Sequence, residues 1–241
     1  MYEIAPLLDD PLHNLKTIRD IYRWAITEME TAEISFGHGC NDSFEESSFL
    51  ICRALKLPFE HFDEFLDAAL THNELLRLVN LIDRRVHEKT PSAYLLKEAW
   101  LTNHQFYIDE RALIPRSYIA ELLEEDLAPW VEDPYEVGSV LDLCTGSGCL
   151  AILAQGAFPN AAVTGSDISA DALEVAKINR RDYGMEETLE LVQGDLFSAL
   201  EGRSFDIILS NPPYVTTASM EALPTEYRHE PSLALAAGAD G

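Results

Sequence analysis

The sequence has 241 residues, enough for one large domain or for a medium domain with a small one beside it. Hydrophobic residues make up 47% of it, no apolar run approaches the roughly 18 residues of a membrane span, and the start lacks the basic region of a secretory signal, so a cytoplasmic protein without membrane contact is expected. The formal net charge of −25 argues against a phosphate backbone as direct partner and favours a basic protein, although acidity can also serve solubility alone.

Residues 1–90 carry helical patterns and are predicted to form a small helical domain for substrate recognition or scaffolding. Apolar residues recur every three or four positions over 15–29, as on one face of an amphipathic helix. The runs 43–46 and 71–74 fit capping boxes, in which a hydroxyl and an acid three residues later satisfy free amides at the start of a helix. Two more helices are therefore predicted, each ended by a proline.

Residues 91–115 are predicted to form a β-hairpin connector. Short strand-like runs lie at 100–102, 105–108 and 112–114, with turn residues between them. Ser117 is expected to cap a following helix.

Residues 116–241 are predicted to form an α/β domain, because strand and helix patterns alternate from residue 137 onwards. Such alternation indicates a Rossmann-like parallel sheet with helices on both faces. Ligands of such sheets lie beyond the carboxyl ends of the strands, so candidate site residues are sought there. The four predicted strands are 140–143, 162–165 with an end at Asp167, 189–192 and 205–209.

A glycine-rich turn follows the first of these strands, with Thr145 and Ser147 alternating with Gly146 and Gly148. Glycine lets a ligand approach the backbone, and the next helix offers free amides there. Asp167 follows Gly148 by 19 residues, a spacing at which an acid accepts hydrogen bonds from ribose hydroxyls. The pattern predicts an adenosine-type cofactor, NAD included; a tight structural turn is the alternative.

Two features favour S-adenosylmethionine over a dinucleotide. The carboxylate of Asp142, just before the turn, opposes a pyrophosphate but suits the ammonium group of a methionine moiety. Asp195, at the end of the third strand, is predicted to accept a hydrogen bond from the adenine amino group, unless it only caps a helix. Leu196 is predicted to pack the adenine ring, and Ile168 completes the predicted cofactor site.

The fourth strand ends in the most specific signal of the sequence, an Asn-Pro-Pro-Tyr corner at residues 211–214. Two prolines stiffen the turn. The Asn211 side chain and the Pro212 carbonyl can accept both hydrogens of one NH2 group, and Tyr214 can stack on a planar group. With Pro213, these residues are predicted to clamp a planar amide or amino-heterocycle. Asn211, Pro212 and Tyr214 are the predicted catalytic residues; Asn211 also borders the cofactor.

At these residues the sequence resembles the HemK-like protein glutamine N5-methyltransferases. The resemblance covers the connector, the corner and the downstream runs 230–235 and 238–241. It implies a seven-stranded class I methyltransferase sheet, S-adenosylmethionine as methyl donor and a protein glutamine as acceptor. Only four of the seven strands are predicted here, so the last three are expected to be missing and the fourth strand to form an open edge.

Within this family, the run 115–121 departs from the release-factor branch and resembles the branch that modifies large-subunit ribosomal protein L3. The release-factor branch remains an alternative. Further alternatives are a DNA adenine-N6 methyltransferase, which the acidity disfavours, a ribosome-assembly module with a vestigial cofactor site, and a dehydrogenase. The four cysteines form no Cys-x-x-Cys pair, so no metal site is expected.

Overall fold

A computed structural model describes residues 9–241. The chain divides into an N-terminal unit that ends at Leu96 and a C-terminal unit, Lys97–Gly241. None of the helices in the described part of the chain is long and apolar enough to cross a membrane. The α-helices are α1 (Asp9–Asn14), α2 (Ile18–Thr31), α3 (Ser43–Leu55), α4 (His72–His87), α5 (Ser92–Leu96), α6 (Tyr118–Glu124), α7 (Cys149–Ala157), α8 (Ala170–Asp182), α9 (Thr217–Ala222) and α10 (Ser232–Leu235). The strands are β1 (Ala99–Leu101), β2 (His104–Phe106), β3 (Ser139–Leu143), β4 (Ala162–Asp167), β5 (Leu189–Gln193) and β6 (Ile207–Ser210).

The N-terminal unit packs helices α1 to α5 around one apolar core. The periodicity of 15–29 predicted α2 correctly, and its buried face presents Ile21, Ala25 and Met29, each fully buried. The capping box before α4 is also confirmed: the Thr71 side chain accepts from the Glu74 amide, and the Glu74 carboxylate accepts from the Thr71 amide.

The start of α3 corrects the sequence prediction by one residue. Asp42, not Ser43, is the capping residue, and its carboxylate accepts a 2.8 Å hydrogen bond from the Glu45 amide. Aspartate and serine cap equally well, so the local pattern alone does not separate them. Glu46, the acid predicted to complete the box, instead turns inward and forms a buried ion pair with Arg85 of α4 at 2.5 Å.

The connector forms a single hairpin, in which β1 pairs with β2 antiparallel. The third strand predicted at 112–114 is wrong. The Ala112 amide closes a turn on the Asp109 carbonyl, and the Ile114 amide donates to the Glu230 side chain. With their backbone groups satisfied in this way, these residues need no partner strand. Ser117 caps α6 as predicted, accepting from the Ile119 amide.

The C-terminal unit contains a four-stranded parallel sheet in the order β5-β4-β3-β6. All four predicted strands are present, and the α/β class is confirmed. Because β3 lies between β4 and β6, the carboxyl ends of these three strands meet at one edge of the sheet. Among the described residues β6 is an outer strand, and its Ile208 is half exposed.

The two sheet faces are covered differently. Helices α7 and α8 contact each other and the strands, so they share one face. The opposite face carries Leu141 and Leu143, which pack on Leu200 in a turn after β5. The prediction of helices on both faces is therefore wrong for residues 9–241, because the segment 194–206 between β5 and β6 forms turns and irregular structure instead of a helix. Within this segment Gly194 packs closely against Ala199: a Cβ on the glycine would lie 2.6 Å from the alanine Cβ.

Candidate active site

The turn between β3 and α7 forms the floor of the candidate site. Gly146 and Gly148 have φ of 57° and 79°, in the left-handed region that favours glycine. A Cβ on Gly148 would lie 3.1 Å from the Cβ of Ala176 in α8, so this glycine lets the two helices approach. A Cβ on Gly146 would meet no atom within 4 Å, so that position faces open space.

Asp142 lies beneath this turn and is fully buried. Its Oδ2 accepts from the Thr145 hydroxyl at 2.6 Å and from the Ala151 amide at 3.0 Å. Burial raises the pKa of this carboxyl to about 7, against the opposing effect of those two bonds. The sequence predicted contact with an ammonium group, but in the structure the carboxylate supports the turn from inside the protein.

Asp167, at the end of β4, faces the same turn. Its Oδ2 accepts from the Gly146 amide at 2.8 Å, and its Oδ1 accepts from the Ser169 amide at 2.9 Å. Each carboxylate oxygen has a second lone pair, so both can still accept from a diol. The two backbone donors fix the orientation of the carboxylate that was predicted to bind ribose.

A cavity lies over the turn and is called the main cavity here. The predicted site residues that line it are Thr145, Gly146, Ser147, Asp167, Ile168, Asn211 and Pro213. Residues 111–113 at the end of the connector, residues 115–117 and the downstream residues Pro231, Leu233 and Ala234 are also part of the wall. Sequence reasoning therefore identified the floor of this cavity but not its cover.

The Asn-Pro-Pro-Tyr corner borders a second, smaller cavity, called the small cavity. Asn211 lines both cavities, and Pro212 and Tyr214 line the small one. Among residues 9–241, neither the Asn211 carboxamide nor the Pro212 carbonyl has a hydrogen-bond partner. Tyr214 is 69% exposed. Two oxygen acceptors and an aromatic ring are thus available next to the main cavity.

Asp195 and Leu196 lie at the end of β5, outside the residues that line either cavity. Both are exposed, and Leu196 has a φ of 48°, unusual for a residue with a side chain. Asp195 accepts through its carbonyl from the Ser198 amide, which closes a turn rather than a helix. The structure places this pair at the end of the strand that pairs with β4.

Sequence reasoning missed a cluster in the connector. The Asp109 carboxylate accepts from Arg111 at 2.9 and 2.6 Å and from the Tyr107 hydroxyl at 2.8 Å. The bond from Arg111 lowers the pKa of this carboxyl to about 2. Arg111 lines the main cavity beside the turn. The signal was present in the acid and arginine two residues apart, but only the fold shows that Arg111 lines the main cavity and that Asp109 holds it.

Asn179 of α8 is a second residue that the sequence did not reveal. Its side chain donates to the Ser147 carbonyl at 2.9 Å and exchanges two bonds with the Tyr107 backbone, at 2.7 and 3.0 Å. It therefore joins the glycine turn to the connector. A lone asparagine within a helix carries no local pattern that would have predicted this role.

The cysteines beside the turn are not reactive groups. Burial raises the pKa of Cys149 to about 12 and also raises the pKa of Cys144. Both are therefore neutral thiols at neutral pH, and a neutral thiol is a poor nucleophile.

A parallel sheet with a glycine-rich turn after its first strand is shared by dinucleotide-binding proteins and by S-adenosylmethionine-dependent methyltransferases, and the Asn-Pro-Pro-Tyr corner beside the main cavity favours the methyltransferase class. Comparison with known proteins agrees, since residues 121–226 match the family described as Methyltransferase small domain. The solved structure of a SAM-dependent methyltransferase from Agrobacterium tumefaciens is a partial match, with 23% sequence identity and a TM-score of 0.38. The match covers 48% of this chain and 39% of the Agrobacterium chain.

Curated relatives define the family more closely. The ribosomal protein uL3 glutamine methyltransferase of Bordetella pertussis is 54% identical over 94% of this chain and 76% of its own length. The proteins of the same name from Neisseria meningitidis serogroup A and Francisella tularensis are 47% and 41% identical, over 98% and 96% of this chain and 77% and 74% of their own. The chain belongs to this family of ribosomal protein uL3 glutamine methyltransferases, which confirms the predicted resemblance and branch.

Proposed function

We propose that this protein transfers a methyl group from S-adenosylmethionine to the side-chain amide nitrogen of a glutamine in ribosomal protein uL3. The observation that carries the proposal is the Asn211–Pro212 pair of unpartnered oxygens beside the main cavity. Relatives named for this reaction, up to 54% identical among those compared, support the choice of substrate. The net charge of −25 suits a basic protein substrate and disfavours direct contact with nucleic acid.

The residues present suit S-adenosylmethionine. The open face of Gly146 allows a ligand to lie against the backbone, and the Asp167 carboxylate, oriented by two amides, can receive the ribose hydroxyls. Ile168 is about half exposed and offers an apolar surface for the adenine ring. Asp195 and Leu196, at the adjacent strand end, are proposed to meet the far edge of that ring. The bound cofactor supplies an electrophilic methyl group on a sulfonium centre.

The corner residues act on the acceptor. An amide nitrogen is a poor nucleophile because its lone pair is delocalised into the carbonyl. Two acceptors, Asn211 Oδ1 and the Pro212 carbonyl, can hold both N–H bonds, aim the nitrogen at the methyl carbon and stabilise the positive charge that develops on nitrogen. Tyr214 packs on the planar amide. The nitrogen–carbon bond forms as the sulfur–carbon bond breaks, and the amide proton then leaves to solvent.

The division of the chain into roles belongs to the same proposal. Residues 116–241, together with the connector, would bind the cofactor and the glutamine, since every residue that lines the main cavity falls between 111 and 234. Residues 1–90 would recognise the protein substrate. We accordingly expect the reaction to take place in the cytoplasm, where ribosomal proteins are made.

The proposal is tested by incubating the protein with purified uL3 and deuteromethyl-labelled S-adenosylmethionine, followed by peptide mass spectrometry. The expected result is one labelled methyl group on a glutamine side-chain amide. A release factor and duplex DNA serve as parallel acceptors. Label on either of them with none on uL3, or label on a residue other than glutamine, contradicts the proposal.

A further inference from the structure

The main cavity and the small cavity share part of their walls. Four residues line both cavities: Leu113, Arg116, Asn211 and Ala234. Arg116 therefore stands on the boundary between the proposed cofactor side and the proposed acceptor side of the site. In the sequence, Arg116 is recognised only as part of a motif that resembles the family. The reaction proposed above assigns no role to this residue.

The guanidinium of Arg116 is held in one orientation. Its two terminal nitrogens donate to the two carboxylate oxygens of Glu230 at 2.8 and 2.7 Å. The Glu230 side chain is completely buried, and its Oε1 also accepts from the Ile114 amide at 3.2 Å. The Tyr227 ring lies 5.4 Å from the guanidinium carbon. A bidentate pair of this kind fixes geometry as well as adding attraction, because both groups are planar.

Glu230 belongs to the segment 215–236, called the closing segment here. Its two ends are joined, because the Val215 amide donates to the Leu235 carbonyl and the Ala237 amide donates to the Val215 carbonyl, both at 2.9 Å. The segment leaves the Asn-Pro-Pro-Tyr corner and returns to it. On its return it supplies Ala234 and Leu235, which line the small cavity together with Asn211 and Tyr214.

We propose that Arg116 is a positioning residue for methyl transfer, and that its ion pair with Glu230 holds the closing segment against the connector so that the small cavity keeps its shape. The inference rests on the proposed function. Reacting atoms must be held within a few tenths of an ångström, and a 1 Å displacement of a wall can cost on the order of 100-fold in rate. A buried carboxylate without its guanidinium is also strongly disfavoured, so the segment would have to shift when the pair is broken.

The test compares Glu230→Gln, Arg116→Lys and Arg116→Met with the wild-type protein. Arg203→Met and Glu190→Gln are matched controls, because Arg203 pairs with Glu190 at 2.7 Å and lies 5.4 Å from the Phe205 ring, but lines neither cavity. Three quantities are measured: hydrogen–deuterium exchange of the closing segment, the Kd for S-adenosylmethionine, and kcat for uL3.

In Glu230→Gln and Arg116→Met we expect exchange in the closing segment to rise about tenfold or more, kcat to fall about 10- to 100-fold and the cofactor Kd to stay within about twofold. Arg116→Lys keeps the charge but loses the bidentate geometry, so it should fall between wild type and Arg116→Met. The controls should change none of the three quantities. If Glu230→Gln does not fold, the test rests on Arg116→Lys, which leaves Glu230 with a cation next to it and is therefore expected to fold.

Unchanged exchange in both Arg116 variants overturns the inference, as does raised exchange with unchanged kcat. A proportional loss of kcat and cofactor affinity, together with loss of thermal stability, would show a merely structural role and also overturns it. If wild-type protein does not methylate uL3, the proposed function fails, and the exchange data then decide by themselves whether the pair holds the segment.

Discussion

Asp142 is the residue whose environment differs most from its sequence expectation. A carboxyl group at a strand end was predicted to meet a ligand, yet it is fully buried under the turn that it supports. Its Oδ1 has no hydrogen-bond partner among the described residues. Desolvation disfavours the charged form, and this explains why the pKa is raised to about 7. We infer that Asp142 acts on the site through Thr145 and Ala151.

This environment predicts a pH dependence of stability. Between the ordinary pKa of 3.8 and the raised value of about 7, the folded protein holds a proton on Asp142 that the unfolded chain releases. The free energy of unfolding should therefore fall as pH rises through this window, by roughly 2–4 kcal/mol, and level off above it. Asp142→Asn has no carboxyl group to titrate at this position. Its free energy of unfolding should therefore not show this part of the decrease with pH.

The measurement is urea unfolding of both proteins at several pH values between about 4 and 8. Other titrating groups contribute equally to the two proteins, so the difference between their curves isolates Asp142. A difference that does not vary with pH would show that the carboxyl has an ordinary pKa in the folded protein.

At the scale of elements, the junction of α7 with α8 depends on Gly148. Its φ of 79° and the 3.1 Å approach to Ala176 both oppose a side chain. Gly148→Ala should lower the free energy of unfolding by about 1–3 kcal/mol and weaken cofactor binding, because the turn must shift. Gly156, inside α7, is the matched control, because a Cβ added there would meet no atom within 4 Å.

Gly156→Ala should raise the free energy of unfolding by about 0.5–1 kcal/mol, as alanine is favoured over glycine in a helix. Both variants are measured by denaturant unfolding and by calorimetry with S-adenosylmethionine. Equal effects of the two substitutions would contradict the account of the turn.

The helices and strands that the sequence predicted correctly are those whose formation depends on residues close together in the chain. The four strands of the sheet were recognised from short apolar runs between turn residues, and α2 from its three- and four-residue spacing. Errors arose where a long-range contact determines the local structure. Residues 112–114 were predicted to form a strand, but the Ile114 amide donates to the side chain of Glu230, 116 residues further along the chain. No pattern within a short window contains that contact.

The candidate site divides in the same way. Its floor and the Asn-Pro-Pro-Tyr corner were predicted, because glycines, an acid at the right spacing and two prolines are local signals. Its cover was not, because Arg111, Arg116 and Asn179 take their roles from partners that only folding brings near. The sequence therefore predicts the chemical groups of the site more readily than the long-range contacts that fix its shape.

At the scale of the whole molecule, acidity is the dominant feature. A net charge of −25 creates a field that attracts a basic protein and repels free nucleic acid, and such a field acts on encounter rates more than on fold. Between Arg116 and Lys177 the sequence contains no lysine or arginine, so no cation within this stretch offsets its acidic residues. Charge can bring a substrate near, whereas the choice of an amide group is the role we propose for the Asn211 corner.

The most direct test of the account compares wild-type protein with Asn211→Ala. Methyl transfer to uL3 and binding of S-adenosylmethionine are measured on the same samples, by label incorporation and by calorimetry. The account predicts that the variant binds the cofactor with a Kd within a few-fold of wild type, while kcat falls about 100-fold or more, because an acceptor that stabilises charge in the transition state has been removed. Equal losses of cofactor affinity and of turnover, or full turnover in the variant, would contradict the central claim that Asn211 holds the glutamine amide.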